Sequence, residues 1–343
     1  MYTLRDFLGF FLGAGITAAF VVLLLPPPPC PCSGVLPAGQ ELALLDNGSQ
    51  ADPSIKNLSM LQAVNAPKDD LAELLRSAAM EDDTIIMTYT NEAWTLPGSL
   101  LDLFLESFRI GVKTQPLLKH LVIVTVDARA FERCQHVHPF CYLLAAAGTG
   151  VDFAGEQSFM AGDYLDMMWM RNKFQSRVLE LGHGFVFTDV DIVWFRNPLL
   201  RIPVGADIAV SCDWFYGDNP YDLNKSTNGG FLYARSSART RAFFADWYEG
   251  RNRIPGAHEQ YVFDKEKHEL AERHGVTVQF VDTTYLNGQC EPKKDFYKVC
   301  TFHANCIVGL KNKLQKLVEV LGEWKQFKAQ QELLGSNSTV LTN

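Results

Sequence analysis

Two aspartates that directly follow an apolar segment are the residues best suited to chemistry in this chain. Asp189 and Asp191 come after Phe185, Val186 and Phe187. Alternate residues of an extended segment point to the same side, so both carboxylates can reach one hard divalent cation. Carboxylates next to an apolar strand are costly unless something pairs with them, and a metal ion does so well. The alternative is a pair of solvated loop aspartates, because an Asp-x-Asp triplet also arises by chance.

Two kinds of enzyme use such a pair. In a sugar-nucleotide transferase, Mn²⁺ or Mg²⁺ bridges the carboxylates and a diphosphate, and acts as a Lewis acid toward the leaving nucleotide. In an aspartyl-phosphate phosphatase, Asp189 would be the nucleophile and Asp191 the acid. Gly217, Asp218 and Asp222 match a second phosphatase element. This element follows the pair too closely to leave room for the intervening strand–helix units, and two predicted strands precede the pair, which favours the transferase.

The elements that must position these residues predict an α/β fold with a mixed, mainly parallel sheet flanked by helices. Apolar strand patterns alternate with amphipathic helix patterns, which is typical of a sheet covered on both faces. Ligands bind beyond the carboxyl ends of such strands, where Thr90, Asn91, Asp127 and the aspartate pair occur. The predicted strands are 84–89, 121–126, 184–187, 207–212, 230–233 and 276–281, and the predicted helices are 98–111, 164–181, 237–248, 258–272 and 313–328.

The N-terminal region predicts a membrane anchor. Phe7–Leu25 carries no charge, and a helix of this length spans roughly 28 Å, about the thickness of the hydrocarbon core of a bilayer. The alternative is a cleaved signal peptide, but no small-x-small cleavage site follows the run. Arg5 stands beside Asp6, so the positive-inside signal is weak, and no Lys or Arg follows the span until Lys56. We expect the long C-terminal part to lie in the secretory lumen.

Sequons and cysteines fit a secretory compartment. Of the eight cysteines, Cys30 and Cys32 lie next to the span and are candidates for acylation or interchain pairing. The other six allow up to three disulfides, and the absence of a CxxC pair argues against a zinc ribbon. The glycosylation sequons begin at Asn47, Asn57, Asn224 and Asn337, and the other six cysteines are Cys134, Cys141, Cys212, Cys290, Cys300 and Cys306.

Composition and segment boundaries complete the predicted organisation. The 343 residues are 47% hydrophobic and carry a formal charge of −8, which excludes a disordered chain and argues against a duplex nucleic-acid partner. Homo- or hetero-oligomers remain possible. We predict a cytosolic tail at 1–6, a signal anchor at 7–25, a stem at 26–80 with one helix near its end, a lumenal domain at 81–333 and a tail at 334–343.

A series of motifs in a fixed order is more specific than the spacing of the aspartate pair alone. The motifs are TNEAW from Thr90, PGS from Pro97, LFLESF from Leu103, MMW from Met167, FVFTDVDIVWFRNP from Phe185, NGGF from Asn228 and HANC from His303. Together they resemble the plant nucleotide-diphospho-sugar transferase family, which includes cell-wall xylosyl- and arabinosyltransferases, over about Asp83–Phe327. The resemblance implies a GT-A-type, Rossmann-like fold, a Golgi type II membrane protein, a UDP-sugar donor and retention of anomeric configuration.

The resemblance also implies roles for individual residues. Asp189 and Asp191 resemble the metal-binding pair, and His303 resembles the third ligand of Mn²⁺ or Mg²⁺. Lys313 resembles a diphosphate-binding lysine, with Lys311 as a possible substitute. For His303 the alternative is a structural histidine. For Lys311 and Lys313 the alternative is a position on the solvated face of the last predicted helix.

Further implied contacts lie on both sides of the pair. Thr90 and Asn91 resemble base or ribose contacts, with an Asx turn as the alternative. Arg171 lies on the predicted helix that precedes the strand at 184–187, and it is expected to face the diphosphate. Lys173 either faces the diphosphate as well or is solvated at the surface. Asn228, Gly229 and Gly230 let a substrate approach the backbone closely, unless they form a simple turn.

The segment His258-Glu259-Gln260 resembles the family's His-Asp-Gln acceptor-side element, with Glu259 in place of aspartate. We take Gln260 as the candidate near the reacting sugar, with Glu259 beside it. A carboxylate nucleophile and a same-face displacement both remain open.

The sequence therefore predicts a Golgi enzyme that moves a sugar from a UDP-sugar to a cell-wall glycan or glycoprotein. A non-catalytic, transferase-like scaffold is the main alternative, and the phosphatase is the lesser one.

Overall fold

The computed structural model describes residues 69–144, 162–293 and 295–340. The expected anchor at 7–25, nearly all of the stem, Cys30 and Cys32 lie outside these residues. Among the helices that are described, none has both the length and the apolar character needed to cross a membrane.

Strands and helices alternate along most of the described chain. The strands are β1 (Thr84–Thr90), β2 (Leu121–Thr125), β3 (Cys141–Leu143), β4 (Gly184–Thr188), β5 (Ile192–Trp194), β6 (Ile208–Cys212), β7 (Thr227–Ala234), β8 (Val278–Phe280), β9 (Leu286–Gly288) and β10 (Thr301–His303). The helices are α1 (Asp70–Ala78), α2 (Glu92–Thr95), α3 (Leu100–Ile110), α4 (Ala128–Val137), α5 (Gly162–Glu180), α6 (Ala238–Arg253), α7 (Glu259–His274) and α8 (Leu310–Val340), with short 3₁₀ turns at Gln115–His120 and Pro198–Arg201.

Seven strands form the main sheet in the order β3-β2-β1-β4-β7-β6-β8. All neighbouring pairs are parallel except those of β7, which runs antiparallel to β4 and β6. Every residue of β1, β2 and β4 is buried, which is the near-continuous apolar pattern of strands covered on both faces. The prediction of a mainly parallel sheet flanked by helices is confirmed, and the arrangement is consistent with a GT-A fold.

Two hydrophobic clusters pack against the two faces of the main sheet. One contains residues of α5, α6 and α7, and the other contains residues of α3 and α8. On the second side, the ring of Phe108 in α3 stacks on Trp194 of β5 at a centroid distance of 4.3 Å. This packing holds β5 against the core, directly after the aspartate pair.

A second sheet of three strands, in the order β5-β10-β9, brings distant parts of the chain together. β10 pairs antiparallel with β5, in a register that places His303 opposite Ile192. Strands of three residues are too short to show a period-2 pattern, so none of these three is among the strands predicted from the sequence. Their pairing nevertheless decides the position of His303, next to Asp191.

The structure differs from the sequence analysis at three places. Helix α1 buries Leu71, Leu75 and Ala78 in the core, so the folded unit includes a helix that we assigned to the stem. The segment 228–230 lies inside strand β7 and is not a turn before a strand. Of the three disulfides that six cysteines would allow, two form: Cys134–Cys141 and Cys290–Cys306, while Cys212 and Cys300 are buried thiols.

Candidate functional site

The turn that carries the aspartate pair is fixed by backbone hydrogen bonds on both sides. Asp189 directly follows β4, and its amide donates to the carbonyl of Gly230 in β7 at 2.8 Å. The amide of Ala304, which follows β10, donates to the carbonyl of Asp191 at 3.1 Å. The turn therefore joins the carboxyl end of β4 in the main sheet to the small sheet, and the two carboxylates lie where these sheets meet.

His303 completes a compact group of possible metal ligands. Its Nε2 lies 3.2 Å from Oδ1 of Asp191 and 3.7 Å from Oδ2 of Asp189. One ligand atom from each of the three side chains lies within 4.8 Å of the others. Two carboxylates and one imidazole form a donor set that suits Mn²⁺. The three residues therefore fit one divalent cation.

Gly230 provides the space that the imidazole occupies. A Cβ atom at this position would lie 2.4 Å from Cε1 and 2.8 Å from Nδ1 of His303. The side chain of Asn228 also accepts a hydrogen bond from the amide of Gly230 at 2.9 Å. A glycine is required here because only a residue without a side chain lets the histidine ring lie against the strand.

Two cationic side chains contact the aspartate pair. Lys313, in the first turn of α8, places Nζ 2.6 Å from Oδ2 of Asp191. Arg171 in α5 places Nη1 3.2 Å from Oδ1 of Asp189 and Nη2 2.5 Å from Oε1 of Glu259. Lys311 is exposed, and it forms no ion pair with any described residue. The pair is thus flanked by positive charge on two sides.

These contacts shift the protonation of the cluster. Burial raises the pKa of Asp189, and the guanidinium of Arg171 offsets only part of this effect. Burial would also raise the pKa of Asp191, but the charges of His303 and Lys313 outweigh it and hold this pKa well below its usual range. Burial would lower the pKa of His303, but the carboxylate of Asp191 outweighs it and raises the pKa. A proton on His303 would therefore compete with a metal ion for this imidazole.

The His258–Gln260 segment reaches the same site from the first turn of α7. Glu259 is 4% exposed, and its Oε2 is buried without a hydrogen-bond partner among the described residues. Oε1 of Gln260 accepts from the amide of Gly229 at 2.7 Å. Both residues line a small recess, together with Arg171, Gln175, Val210, Thr227, Gly229, Leu232, Trp247 and Phe263. His258 is the N-cap of α7, and its side chain accepts from the amide of Tyr261.

The residues after β1 lie at the carboxyl ends of the strands, on the same side of the sheet as the aspartate pair. β1 and β4 are parallel neighbours with Met87 opposite Phe187, so Thr90 ends its strand near the level of the pair. The hydroxyl of Thr90 is buried and unpartnered in the part of the chain that is described. Asn91 caps α2 by accepting from the amide of Trp94 at 3.2 Å, which is the local turn that we considered as its alternative role.

One polar residue of the site was missed from the sequence. Oδ1 of Asp213 accepts from Nδ2 of Asn228 and from Nδ2 of Asn305, both at 2.8 Å. Asp213 directly follows β6, just as Asp189 follows β4, so the same rule about strand ends would have found it. By contrast, Asp127 caps α4 and accepts from the amides of Ala130 and Glu92, which is a structural role.

Comparison with known proteins identifies the family. The family model for nucleotide-diphospho-sugar transferases matches residues 116–317, which include the aspartate pair, the glycines of β7, His303 and Lys313. The chain belongs to this family. The resemblance inferred from the ordered motifs is thereby confirmed.

Individual proteins resemble the chain to different extents. The uncharacterized Arabidopsis thaliana protein At4g15970 is 42% identical over 75% of this chain and 68% of its own length. The β-arabinofuranosyltransferase RAY1 of the same plant is 27% identical over 43% of this chain and 32% of its own length. The crystal structure of a glycosyltransferase involved in the glycosylation of the major capsid of PBCV-1 overlays with a TM-score of 0.42 at 12% identity, over 69% of this chain and 98% of that one. So distant an overlay carries no information about the site.

Proposed function

We propose that this protein is a metal-dependent, retaining glycosyltransferase that moves a sugar from a UDP-sugar to a cell-wall glycan or glycoprotein. The main support is the convergence of Asp189, Asp191 and His303 from two separate sheets onto a space that fits one cation. Membership of the nucleotide-diphospho-sugar transferase family supports the reaction class. The relative that is a β-arabinofuranosyltransferase supports glycosyl transfer without indicating which sugar this chain uses.

Asp189, Asp191 and His303 would hold Mn²⁺ or Mg²⁺. When bound, the metal supplies Lewis-acid stabilisation to a diphosphate leaving group. Lys313 and Arg171 already lie beside the two carboxylates, and their fixed positive charges favour a departing UDP without reorganisation. Lys311, which is exposed at the start of α8, is the weaker candidate for this role. Thr90 and Asn91, at the end of β1, are the proposed contacts to the nucleoside.

Glu259 and Gln260 are the proposed catalytic pair on the sugar side. One guanidinium, that of Arg171, binds both Glu259 and Asp189, so the recess that Glu259 lines adjoins the proposed metal site. Glu259, whose Oε1 is held by Arg171 and whose Oε2 is buried, is the proposed carboxylate nucleophile, and Gln260 is suited to orient the sugar. Same-face attack by the acceptor would also give retention. Asn228, Gly229, Gly230 and His258 would form the wall along which the substrate lies.

We also propose that the protein is a Golgi type II membrane protein, anchored by residues 7–25 with the transferase domain in the lumen. The uncharged length of that segment supports an anchor. The two disulfides support an oxidising compartment. Cellular imaging of a tagged full-length chain, combined with protease protection of its C-terminal part, tests this proposal. A cytosolic C-terminal part would contradict it.

Release of UDP by the full-length protein tests the enzymatic proposal. The protein, purified in detergent, is offered UDP-sugars one at a time, with Mn²⁺ or with EDTA. We expect Mn²⁺-dependent UDP release with one donor, and a loss of about a hundredfold or more in Asp191→Ala. Binding of UDP-sugar without any turnover would instead indicate a scaffold. A covalent phosphoryl group on Asp189 would indicate a phosphatase.

A further inference from the structure

The loop between β6 and β7, residues 213–226, holds three large aromatic rings in solvent. Trp214, Tyr216 and Tyr221 are 52%, 50% and 54% exposed. Single exposed apolar residues are ordinary, but three exposed aromatic side chains on one loop are an unusual concentration of apolar surface in solvent. We call residues 213–226 the aromatic loop.

The aromatic loop is rigidly built around a buried lysine. Lys225 is 0% exposed, and its Nζ donates to the carbonyl of Asn219 at 2.7 Å. The same Nζ lies 4.7 Å from the centre of the Phe215 ring and 5.0 Å from that of Tyr216. Lys267 in α7 donates in turn to the carbonyl of Lys225. These contacts fix the loop before any ligand arrives, which lowers the entropy lost on binding.

The aromatic loop starts inside the polar network of the candidate site. Its first residue, Asp213, binds the side chains of Asn228 and Asn305. Asn228 also binds the amide of Gly230, against which the ring of His303 lies. Trp214 directly follows Asp213 in the chain, so the aromatic loop begins at the hydrogen bonds of the proposed transfer site.

The charges of the aromatic loop select among possible ligands. Its acidic residues are Asp213, Asp218 and Asp222, and its one basic residue is the buried Lys225. Asp218 is exposed, and so are Asn219 and Asn224, so the loop offers a ligand one exposed carboxylate, two amides and three aromatic rings. Neutral sugars match this surface, because their C–H faces stack on aromatic rings and their hydroxyls donate to carboxylates. An acidic polysaccharide would be repelled and would find no exposed cation on the loop.

We propose that the aromatic loop is the acceptor subsite and binds a neutral glycan chain by stacking on Trp214 and Tyr216. This inference rests on the proposed function, since it gives that reaction a class of acceptor. It assigns the loop to holding the sugar that receives the transferred residue. Tyr221 extends the same surface.

Direct binding to the full-length protein in detergent tests this subsite. The probes are a neutral xylo-oligosaccharide and an oligogalacturonide of equal length, measured by calorimetry without any UDP-sugar. We expect the neutral probe to bind about tenfold or more tightly than the acidic one. Trp214→Ala and Tyr216→Ala should each weaken neutral binding about tenfold, whereas Trp214→Phe should keep most of it because a ring remains.

Tyr297→Ala is the matched control. Tyr297 is 66% exposed, but its ring packs against Phe327 of α8, far along the chain from the aromatic loop. This variant should bind the glycan as the wild type does. Thermal unfolding of each variant, with and without Mn²⁺, verifies that the fold and the metal site are intact.

Assays of glycosyl transfer and of UDP-sugar hydrolysis distinguish a failure of the acceptor subsite from a failure of the proposed function. Trp214→Ala should lose transfer to the neutral glycan, whereas Tyr297→Ala should keep both this transfer and the hydrolysis of UDP-sugar by water. Unchanged binding and transfer in Trp214→Ala and Tyr216→Ala, or preference for the acidic probe, would overturn the subsite. So would a dimer that dissociates on Trp214→Ala without any glycan binding. A wild type that binds the neutral glycan through the loop but turns over no UDP-sugar would support glycan binding by the loop, and would overturn both the proposed function and the acceptor role.

Discussion

At the scale of single residues, the site depends on the imidazole of His303, which lies between the aspartate pair and strand β7. His303 contacts both carboxylates of the pair and lies against Gly230. Its pKa is raised because the attraction of Asp191 outweighs the effect of burial. Both the charge of the ring and its position therefore control whether a cation can bind.

Metal affinity should consequently fall as the pH is lowered. A raised pKa means that His303 keeps its proton up to a higher pH, and a protonated imidazole cannot bind a metal. We expect Mn²⁺ to bind more weakly at pH 6 than at pH 8 and to release a proton from the protein. Calorimetry in buffers of different ionisation enthalpy measures both effects. In His303→Ala the remaining affinity should be weak and should change less with pH, and an equally steep dependence would assign the proton to another group.

The glycine beneath the imidazole gives a second prediction. Gly230→Ala should move the ring of His303, because the added Cβ would lie 2.4 Å from one of its carbons. We expect a loss of about tenfold or more in Mn²⁺ affinity. Gly205→Ala is the matched control, since a Cβ there meets nothing within 4 Å. Equal metal affinity in the two variants would show that the ring is not confined by the strand.

At the scale of elements, the position of β10 decides whether His303 lies beside Asp189 and Asp191. β10 carries His303 and lies within the loop that the Cys290–Cys306 disulfide closes. The other disulfide, Cys134–Cys141, closes a shorter loop between α4 and β3, on the far edge of the main sheet. The two crosslinks therefore constrain different parts of the fold.

Removing each disulfide should separate stability from metal binding. Replacing either pair with serines should lower the free energy of unfolding by about 2–3 kcal/mol, slightly more for the longer loop. Only the change at Cys290 and Cys306 should also weaken Mn²⁺ binding, because only that loop holds a ligand. Denaturant titration and calorimetry measure the two quantities. Equal weakening of metal binding in both variants would mean that the disulfide does not position β10 locally.

Much of the main sheet could be predicted at this scale, whereas the small sheet could not. The long apolar strands β1, β2 and β4 and the helix α5 have clear patterns, and their bounds agree within two residues. β5, β9 and β10 have three residues each, too few for any periodicity. The start of β7 was missed because Asn228, Gly229 and Gly230 are residue types that favour turns, and the pairing with β4 and β6 overrides that preference.

The candidate site, like the sheets, could be predicted only in part from the sequence. The sequence indicated Asp189, Asp191, His303 and Lys313 through strand ends and ordered motifs. It could not indicate that Arg171 joins Glu259 to Asp189, because such a contact depends on how α5 and α7 pack. Nor could it show that Lys311 is exposed while Lys313 reaches Asp191, since that depends on the rotation of α8.

At the scale of the whole molecule, one cation would tie together segments that are far apart in the chain. A ligand that binds only the folded state stabilises it, by about 2.7 kcal/mol at a hundred times its dissociation constant. For a domain of this size we expect Mn²⁺ at that concentration to raise the melting temperature by about 5–10 °C. Scanning calorimetry with Mn²⁺ and with EDTA measures the shift. Asp191→Asn should remove it, and a full shift in that variant would place the cation elsewhere.

Lys313 contacts Asp191 from a helix that lies more than a hundred residues further along the chain. During translation the main sheet leaves the ribosome well before α8 does, and domains generally acquire structure from the N-terminal side. Until that helix docks, Asp191 lacks its lysine partner. A nascent chain stalled shortly before residue 310 would therefore lack one of the two cationic side chains beside the aspartate pair, and we expect it to stay inert toward sugar nucleotides until synthesis has passed this point.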